Sequence, residues 1–155
     1  MWVPPETADP VCLHAPTRKS ISYFGAVRLR DGKLVTSRPE DRFNAQTCQA
    51  FFRRLDTASR RAGRKVVVII DNAKYHHATL HAPWRQTVSD HFVLHFLPPY
   101  SPELNPIERV WKLVRRLGLH NRYFPKLEDV VMAVSPIFLT WARPNRTLAH
   151  LCGLA

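Results

Sequence analysis

Apolar residues follow two different periods along the chain, and each period predicts a different kind of element. In residues 20–29 they alternate with polar or small positions, and Asp31 and Gly32 separate this stretch from residues 33–37. Alternation with period two is typical of a strand, and a short polar step that contains glycine is typical of a hairpin. The pattern therefore predicts a β-hairpin over residues 20–37.

Helical spacing of apolar residues follows in three places. Asn44 is the expected cap of a first helix that ends at Gly63, with an inward stripe of Cys48, Phe51, Phe52, Leu55 and Ala58. Asn105 is the expected cap of a second helix that has Pro106 at its first position, with a stripe of Ile107, Val110, Trp111, Val114 and Leu117. A last helix begins near Lys126 and is kinked or ended by Pro136, with a stripe of Leu127, Val130, Val131 and Val134.

Two short apolar runs lie between the first two helices. Val66 to Ile70 is apolar at every position, which predicts a central strand covered on both faces. Residues 92–97 form the next strand, and two prolines end it. Residues 76–90 have helical spacing that Pro83 interrupts. Strands that alternate with helices in this way predict an α/β fold.

Two carboxylates occupy positions where such a fold binds ligands. Asp71 directly follows the apolar strand, and Glu108 lies on the first turn of the helix that begins at Pro106. Ligands of α/β sheets bind at the carboxyl ends of the strands. Two hard oxygen donors on separate rigid elements suit a metal-dependent phosphodiester enzyme, so we expect the two carboxyl groups to lie roughly 4 to 8 Å apart.

Each candidate also has a structural interpretation. Asp71 and Asn72 are both turn formers at the end of a strand. Glu108 completes the spacing of a capping box with Asn105 and can pair with Lys112 one turn further on. His76 follows shortly after the strand, and its structural interpretation is an ordinary surface histidine without a functional role.

The charge of the chain points to a polyanionic partner. Lysine and arginine outnumber aspartate and glutamate by 23 to 12, which gives a net charge of +11 and a pI near 10.3. A domain this basic favours nucleic acid, whereas solubility alone is the competing explanation. The candidate DNA-binding residues lie on predicted helix faces and in the loop after the strand: Arg53, Arg54, Arg60, Arg61, Lys74, Arg109, Lys112, Arg115 and Arg116.

Length and composition limit the remaining possibilities. The 155 residues predict one domain, with an irregular proline-rich segment at 1–19 and a C-terminal tail at 144–155. Three cysteines without metal-ligand spacing give neither a disulfide framework nor a zinc site. No apolar run reaches the roughly 18 residues of a membrane span. These features predict a soluble intracellular protein without a membrane partner.

The two carboxylates belong to longer motifs. Asp71-Asn72-Ala73-Lys74-Tyr75-His76 follows the apolar strand, and residues 97–111 read Leu-Pro-Pro-Tyr-Ser-Pro-Glu-Leu-Asn-Pro-Ile-Glu-Arg-Val-Trp. At this spacing they closely resemble the second and third catalytic segments of DDE transposases of the bacterial insertion-sequence and mariner-like group, also called DDE superfamily endonucleases. The resemblance spans most of residues 2–135.

The resemblance implies a ribonuclease-H-like mixed sheet flanked by helices, and a site of three carboxylates that binds two Mg²⁺ or Mn²⁺ ions. The implied activity is DNA strand cleavage and transfer, as in transposition and recombination, in the bacterial cytoplasm with the nucleoid. Asp71 matches the second carboxylate and Glu108 the third, while Asn72, His76 and Asn105 match supporting positions.

The sequence also departs from the family pattern. The family's first aspartate lies on the first, central strand, ahead of the segment that Trp2 resembles, and neither Asp9 nor Asp31 is a convincing substitute. No helix-turn-helix segment that would read DNA ends precedes the domain. We therefore interpret the chain as a truncated catalytic domain that lacks its central strand and is inactive alone. Its expected partners are DNA, an upstream polypeptide that supplies the strand, and a second copy in a homodimer. The alternatives are a non-catalytic nucleic-acid-binding remnant and a basic structural or partner-binding protein.

Overall fold

The computed structural model describes residues 20–39, 42–60 and 63–153, which form a mixed α/β arrangement. The main elements in chain order are β1 (Phe24–Arg28), β2 (Lys33–Ser37), α1 (Ala45–Ser59), β3 (Val66–Ile70), α2 (Ala82–Thr87), β4 (Phe92–Phe96), α3 (Pro106–Val114), α4 (Leu127–Trp141) and α5 (Arg146–Cys152). Shorter helical turns join them at Lys74–His77, Thr79–His81, Pro102–Leu104 and Arg115–Leu119. The predictions for residues 1–19, including Asp9, and for Arg61 lie outside the described residues.

The N-terminal hairpin is confirmed. β1 pairs with β2 in antiparallel register, from Phe24 opposite Ser37 to Arg28 opposite Lys33. Gly32 adopts a φ of 69°, a left-handed conformation that the turn requires and that glycine adopts without steric cost. The Arg28 guanidinium donates two hydrogen bonds to the Asp31 carboxylate, at 2.8 and 2.6 Å, and these bonds hold the pKa of Asp31 below its usual value. Asp31 is therefore a turn residue, as the sequence indicated.

The apolar strand is less covered than its sequence predicts. β3 pairs in parallel with β4 alone, from Val66 opposite Phe92 to Ile70 opposite Phe96. On the other face of β3, Val67 is 60% exposed and Ile69 is 40% exposed. The prediction of a central strand covered on both faces is thus wrong for the described part of the chain, because β3 has one strand neighbour there and no layer covers its second face.

The helix α1 packs its apolar face into the first hydrophobic cluster. Asn44 and Thr47 form a reciprocal capping box at its start. The four buried apolar residues of its stripe belong to this cluster. The buried members of the cluster are Phe24, Cys48, Phe51, Phe52, Leu55, Trp84, Val88, Phe92 and Leu94. The helix ends at Ser59, before the predicted stop at Gly63. It ends early because Arg60 turns to an extended ψ of 132° while its guanidinium pairs with Asp56 one turn back.

The helix α3 starts as predicted at Asn105 and Pro106 but changes pitch at its end. Val110 and Val114 are buried, and the chain then continues through a π-helical turn over Arg115–Leu119. This wider turn shifts the phase of the helix, so Leu117 is 54% exposed and Gly118 is buried in its place. The prediction of an inward Leu117 was therefore wrong.

Pro83 interrupts its helical stretch as predicted, whereas Pro136 does not end its helix. Pro83 lies in the first turn of α2, where a proline is tolerated, and two 3₁₀ turns precede it instead of one continuous helix. Pro136 lies inside α4, which continues to Trp141, so an end at this proline is wrong. Val134 and Trp141 are buried on either side of Pro136, and their packing holds the helix together across the missing N–H.

The segment 144–155, which the sequence analysis predicts to be a C-terminal tail, includes the packed helix α5. Asn145 caps α5 by accepting a hydrogen bond from the Leu148 amide at 3.0 Å. Leu148 and Cys152 are fully buried in the second hydrophobic cluster, whose buried members are Leu34, Val110, Val114, Val134, Trp141, Leu148 and Cys152. The helix α5 therefore belongs to the folded core.

Gly25 provides a test of the packing between β1 and α3. A Cβ atom at this position would lie 2.4 Å from Cζ2 and 2.5 Å from Cη2 of Trp111. The substitution Gly25→Ala must displace a large ring that also packs against Phe138, so we expect the free energy of unfolding to fall by about 1 to 3 kcal/mol in a denaturant titration. Combining it with Trp111→Phe should recover part of the loss. An unchanged unfolding free energy for Gly25→Ala would contradict this contact.

Candidate metal and DNA site

Asp71 is held in place by its own turn and remains accessible. Its Oδ1 accepts a hydrogen bond from the Ala73 amide at 3.0 Å and lies 3.0 Å from Nδ1 of His76. The same ring nitrogen is 3.1 Å from the Asp71 carbonyl oxygen. Because both oxygens are acceptors, Nδ1 carries the hydrogen and donates to them. The Asp71 side chain is still 58% exposed, so it can contact a ligand.

His76 is not a surface histidine, which corrects the structural interpretation of this residue. Its side chain is only 8% exposed, because the 3₁₀ turn at 74–77 folds it inward between Tyr75 and Phe52. Burial lowers the pKa of His76 below its usual value, and the adjacent Asp71 partly opposes this shift. His76 is therefore a neutral hydrogen-bond donor at neutral pH. It orients the Asp71 carboxylate.

The charge of Asp71 also acts on two neighbouring ionisable side chains, Cys48 and Tyr75. Burial, and then the negative charge of Asp71, raise the pKa of the Cys48 thiol to about 12. Burial, and then the negative charge of Asp71, also raise the pKa of the Tyr75 hydroxyl. Both groups stay neutral at neutral pH, so the negative charge here rests on Asp71. Cys48 lies on α1, and only the tertiary packing of that helix brings it to the end of β3.

The two asparagines have positioning roles. The Asn72 side chain donates to the carbonyl of Leu97 and so ties the end of β3 to the end of β4. Its amide oxygen lies 3.1 Å from Nε2 of the exposed His77. The Asn105 side chain accepts a hydrogen bond from the Ile107 amide at 3.4 Å and caps α3. These contacts hold the end of β3 and the start of α3, the elements that position Asp71 and Glu108.

Glu108 has neither of the structural roles that the sequence offered. It lies half-buried on the first turn of α3. Within the described residues its carboxylate makes no reciprocal capping bond with Asn105 and no ion pair with Lys112. The start of a helix favours a negative charge, because the N–H groups and dipole of the first turn point toward it. Glu108 is thus a carboxylate without a hydrogen-bond or ion-pair partner among the described residues.

Both carboxylates border one cleft of about 570 Å³. Asp71, His76, Asn105 and Glu108 all line it, although they come from the end of β3, the following turn and the start of α3. Carboxylate oxygens are the ligands that Mg²⁺ and Mn²⁺ prefer. Over residues 20–39, 42–60 and 63–153, no cluster of three or more histidine, cysteine, aspartate or glutamate residues is placed to hold a metal. The described residues therefore fit part of a divalent-cation site, and the separation of the two carboxyl groups stays a prediction.

The candidate DNA-binding residues that the structure describes are on the surface. Seven of these candidates are exposed and have no acidic partner among the described residues: Arg53, Arg54, Lys74, Arg109, Lys112, Arg115 and Arg116. Arg60 is also exposed, but it pairs with Asp56. Arg53 lies 5.5 Å from the ring of Trp84, and Arg109 donates to the Leu151 carbonyl at 3.1 Å.

Comparison with known proteins identifies the family. The profile of the DDE superfamily endonucleases matches residues 1–131, most of the chain, so this protein belongs to that family. The resemblance inferred from the two motifs is confirmed. A relative from Sinorhizobium fredii, described as uncharacterized protein y4pE/y4sA, is 42% identical over 69 residues. The matched part is 44% of this chain and 47% of the relative, so the chain matches less than half the length of that protein.

Among the helices that the structure describes, none is both long enough and apolar enough to cross a bilayer.

Proposed function

We propose that Asp71 and Glu108 are metal-binding carboxylates of a DDE-type site for DNA strand cleavage and transfer. The observation that carries the proposal is the Glu108 carboxylate, which has no hydrogen-bond or ion-pair partner among the described residues and borders the same cleft as Asp71. A half-buried carboxylate without a structural partner suits a ligand role. Membership of the family supplies the reaction class, since its members are endonucleases.

The residues around the cleft have separable roles in this proposal. Asp71 and Glu108 would hold Mg²⁺ or Mn²⁺, which when bound supplies activation of the attacking oxygen and stabilisation of the leaving oxygen of a phosphodiester. His76 and the Ala73 amide orient Asp71 by donating hydrogen bonds to its carboxylate. Asn72 and Asn105 fix the two supporting loops. The exposed basic side chains bind the DNA phosphates.

We further propose that the described residues do not complete this site alone. The resemblance to the family implies a two-ion site with three carboxylates, of which Asp71 and Glu108 would be two. Asp31 does not supply the third, because Arg28 holds it in the hairpin turn. A central strand that carries the first aspartate would complete the set. Without a third carboxylate, we expect the protein to bind DNA without cutting it.

A non-catalytic nucleic-acid-binding protein is the second candidate function. It is favoured by the exposed basic side chains, together with the finding that the described residues contain no cluster of three or more potential metal ligands. The two candidates differ in what they require of Asp71 and Glu108. DNA binding needs neither carboxylate, whereas a DDE-type site needs both of them to bind a divalent cation.

Titration with Mn²⁺, followed by electron paramagnetic resonance, tests the proposed site. We expect the protein to bind the ion, and Asp71→Asn or Glu108→Gln to weaken this binding by about tenfold or more, since even loss of a group that only supports a metal ligand costs about 10- to 100-fold. Glu103→Gln is the matched control, because Glu103 is an exposed carboxylate in the segment that directly precedes α3, the helix of Glu108. Equal weakening by Glu103→Gln, or no effect of the first two substitutions, would exclude this site.

A further inference from the structure

Tyr100 combines an exposed aromatic ring with an unfavourable backbone conformation. Its side chain is fully exposed, and its φ of 58° lies in the left-handed region. Among the described residues other than glycine, only Asn121 also has a positive φ, and asparagine tolerates it because its short polar side chain bonds locally. For a bulky ring the conformation costs free energy. Exposure alone would be ordinary for a tyrosine, but this ring gains no packing in return for the backbone cost.

Short-range contacts hold Tyr100 in this conformation. Prolines at positions 98, 99 and 102 fix φ on both sides of it. The Ser101 hydroxyl donates to the Pro99 carbonyl at 3.3 Å, and the Leu104 amide donates to the Ser101 carbonyl at 3.2 Å. A loop of restricted backbone freedom therefore presents the ring to solvent. Such restriction reduces the entropy that is lost when a ligand stacks on the ring.

The loop of Tyr100 lies at the edge of the sheet that carries the candidate site. The Leu97 amide donates to the carbonyl of Ile70, the residue before Asp71, at 2.8 Å. Tyr100 is the third residue after Leu97, so their Cα atoms lie at most about 11 Å apart. The loop then continues to the start of α3, which carries Glu108. A DNA strand at the two carboxylates is thus within reach of the Tyr100 ring.

The charges around this loop favour nucleic acid as the ligand of the ring. Lys74, in the turn after β3, and Arg109, on α3, are exposed and have no acidic partner among the described residues. Such side chains bind phosphates, and a base offers a flat π face to an aromatic ring. Within a paired duplex the neighbouring base pairs cover both faces of each base. A surface ring can therefore stack only on a base that has left the duplex stack.

We infer that Tyr100 stacks on an unpaired nucleobase of the DNA that occupies the candidate site. The inference rests on the proposed function, and it adds a contact that neither the carboxylates nor the phosphate-binding side chains provide. Stacking uses the face of the base, so it is tolerant of base identity. The unfavourable backbone at Tyr100 is then a loss of stability that positions a ring for its ligand.

Two short duplexes test the inference, one fully paired and one with a single unpaired thymine at its centre. We expect the protein to bind the second about fivefold or more tightly in fluorescence anisotropy, because a base stacked on an aromatic side chain contributes a factor of this size. Tyr100→Ala should remove this preference and leave the affinity for the paired duplex unchanged, because phosphate contacts carry that affinity. Tyr100→Phe retains the ring and should keep the preference. Tyr123→Ala is the matched control, since Tyr123 is an exposed tyrosine in the segment that precedes α4.

The backbone conformation provides an independent readout. Glycine adopts a positive φ without steric cost, so Tyr100→Gly should unfold at a higher denaturant concentration than Tyr100→Ala. It should also lose the preference for the unpaired base, because it lacks the ring. A midpoint for Tyr100→Gly at or below that of Tyr100→Ala would show that the conformation is not held at a cost, and would contradict the inference.

The outcomes of the DNA titrations separate this inference from the proposed function. Equal affinity for the two duplexes, a preference that survives Tyr100→Ala, or an equal loss with Tyr123→Ala would overturn the inference alone. Loss of the preference in Tyr100→Phe would also overturn it, because the hydroxyl and not the face of the ring would then make the contact. Absence of binding to either duplex at low salt would remove the proposed DNA binding and this inference together.

Discussion

Duplex DNA of any sequence is expected to bind this protein at low salt, with an affinity that falls about 100-fold between roughly 50 and 200 mM monovalent salt. The net charge is +11, and seven exposed basic side chains from the predicted set have no acidic partner among the described residues. If about four of them contact phosphates, counterion release gives a slope near −3.6 in a plot of log affinity against log salt. Fluorescence anisotropy of a labelled duplex measures this slope.

Substitution of exposed arginines by alanine tests which surface of the protein binds DNA. Arg115→Ala and Arg116→Ala together should reduce the slope by about two, because each removes one phosphate contact. Arg146→Ala is the matched control, since Arg146 is an exposed arginine at the start of α5 outside the predicted set. A reduction of about one from the control, equal to that from Arg115→Ala or Arg116→Ala alone, would show that charge alone sets the affinity. Absence of binding at low salt would refute nucleic-acid binding by this chain.

The features predicted correctly from the sequence are those that depend on neighbouring residues. Asn44 and Asn105 cap their helices through atoms within three residues, and the hairpin depends on the turn at Asp31 and Gly32. Local chemistry is sufficient in such cases. The sequence pattern also placed Asp71 and Glu108 on the elements that bring them to one cleft.

The features that were missed depend on contacts that are distant in sequence or on small changes of helix geometry. The exposed face of β3 depends on which strands surround it, and its composition alone does not determine this. Leu117 was placed wrongly because a π-helical turn alters the period on which the prediction rested. His76 is buried because Phe52 from α1 packs beside it. The helix α5 has only seven residues, too few for its two fully buried positions to form a recognisable stripe.

Cleavage of DNA is expected to be undetectable with the protein alone, in either Mg²⁺ or Mn²⁺. Among the described residues, Asp71 and Glu108 would hold one divalent ion weakly, whereas a two-ion site would need a further carboxylate. A peptide strand that fits the cleft and carries an aspartate at the end beside Asp71 should produce cleavage. The same strand with asparagine there should not. A nicking assay on supercoiled plasmid measures both reactions.

Substitutions separate the possible outcomes of that assay. Asp71→Asn or Glu108→Gln should abolish the restored cleavage, whereas Glu103→Gln should retain it. Cleavage by the protein alone that Asp71→Asn abolishes would show that another carboxylate, such as Asp9 or one from a partner chain, completes the site. Cleavage that survives both substitutions would exclude these two residues from the reaction.

The position of a bound Mn²⁺ ion tests the central claim most directly. Anomalous scattering from crystals soaked in Mn²⁺ locates the ion without reference to activity. We predict an ion that contacts the carboxylates of both Asp71 and Glu108, with the two carboxyl groups roughly 4 to 8 Å apart, and loss of this ion in crystals of Asp71→Asn. An ion bound elsewhere, or carboxylates that face away from each other across the cleft, would contradict the assignment of this cleft as a DDE-type site.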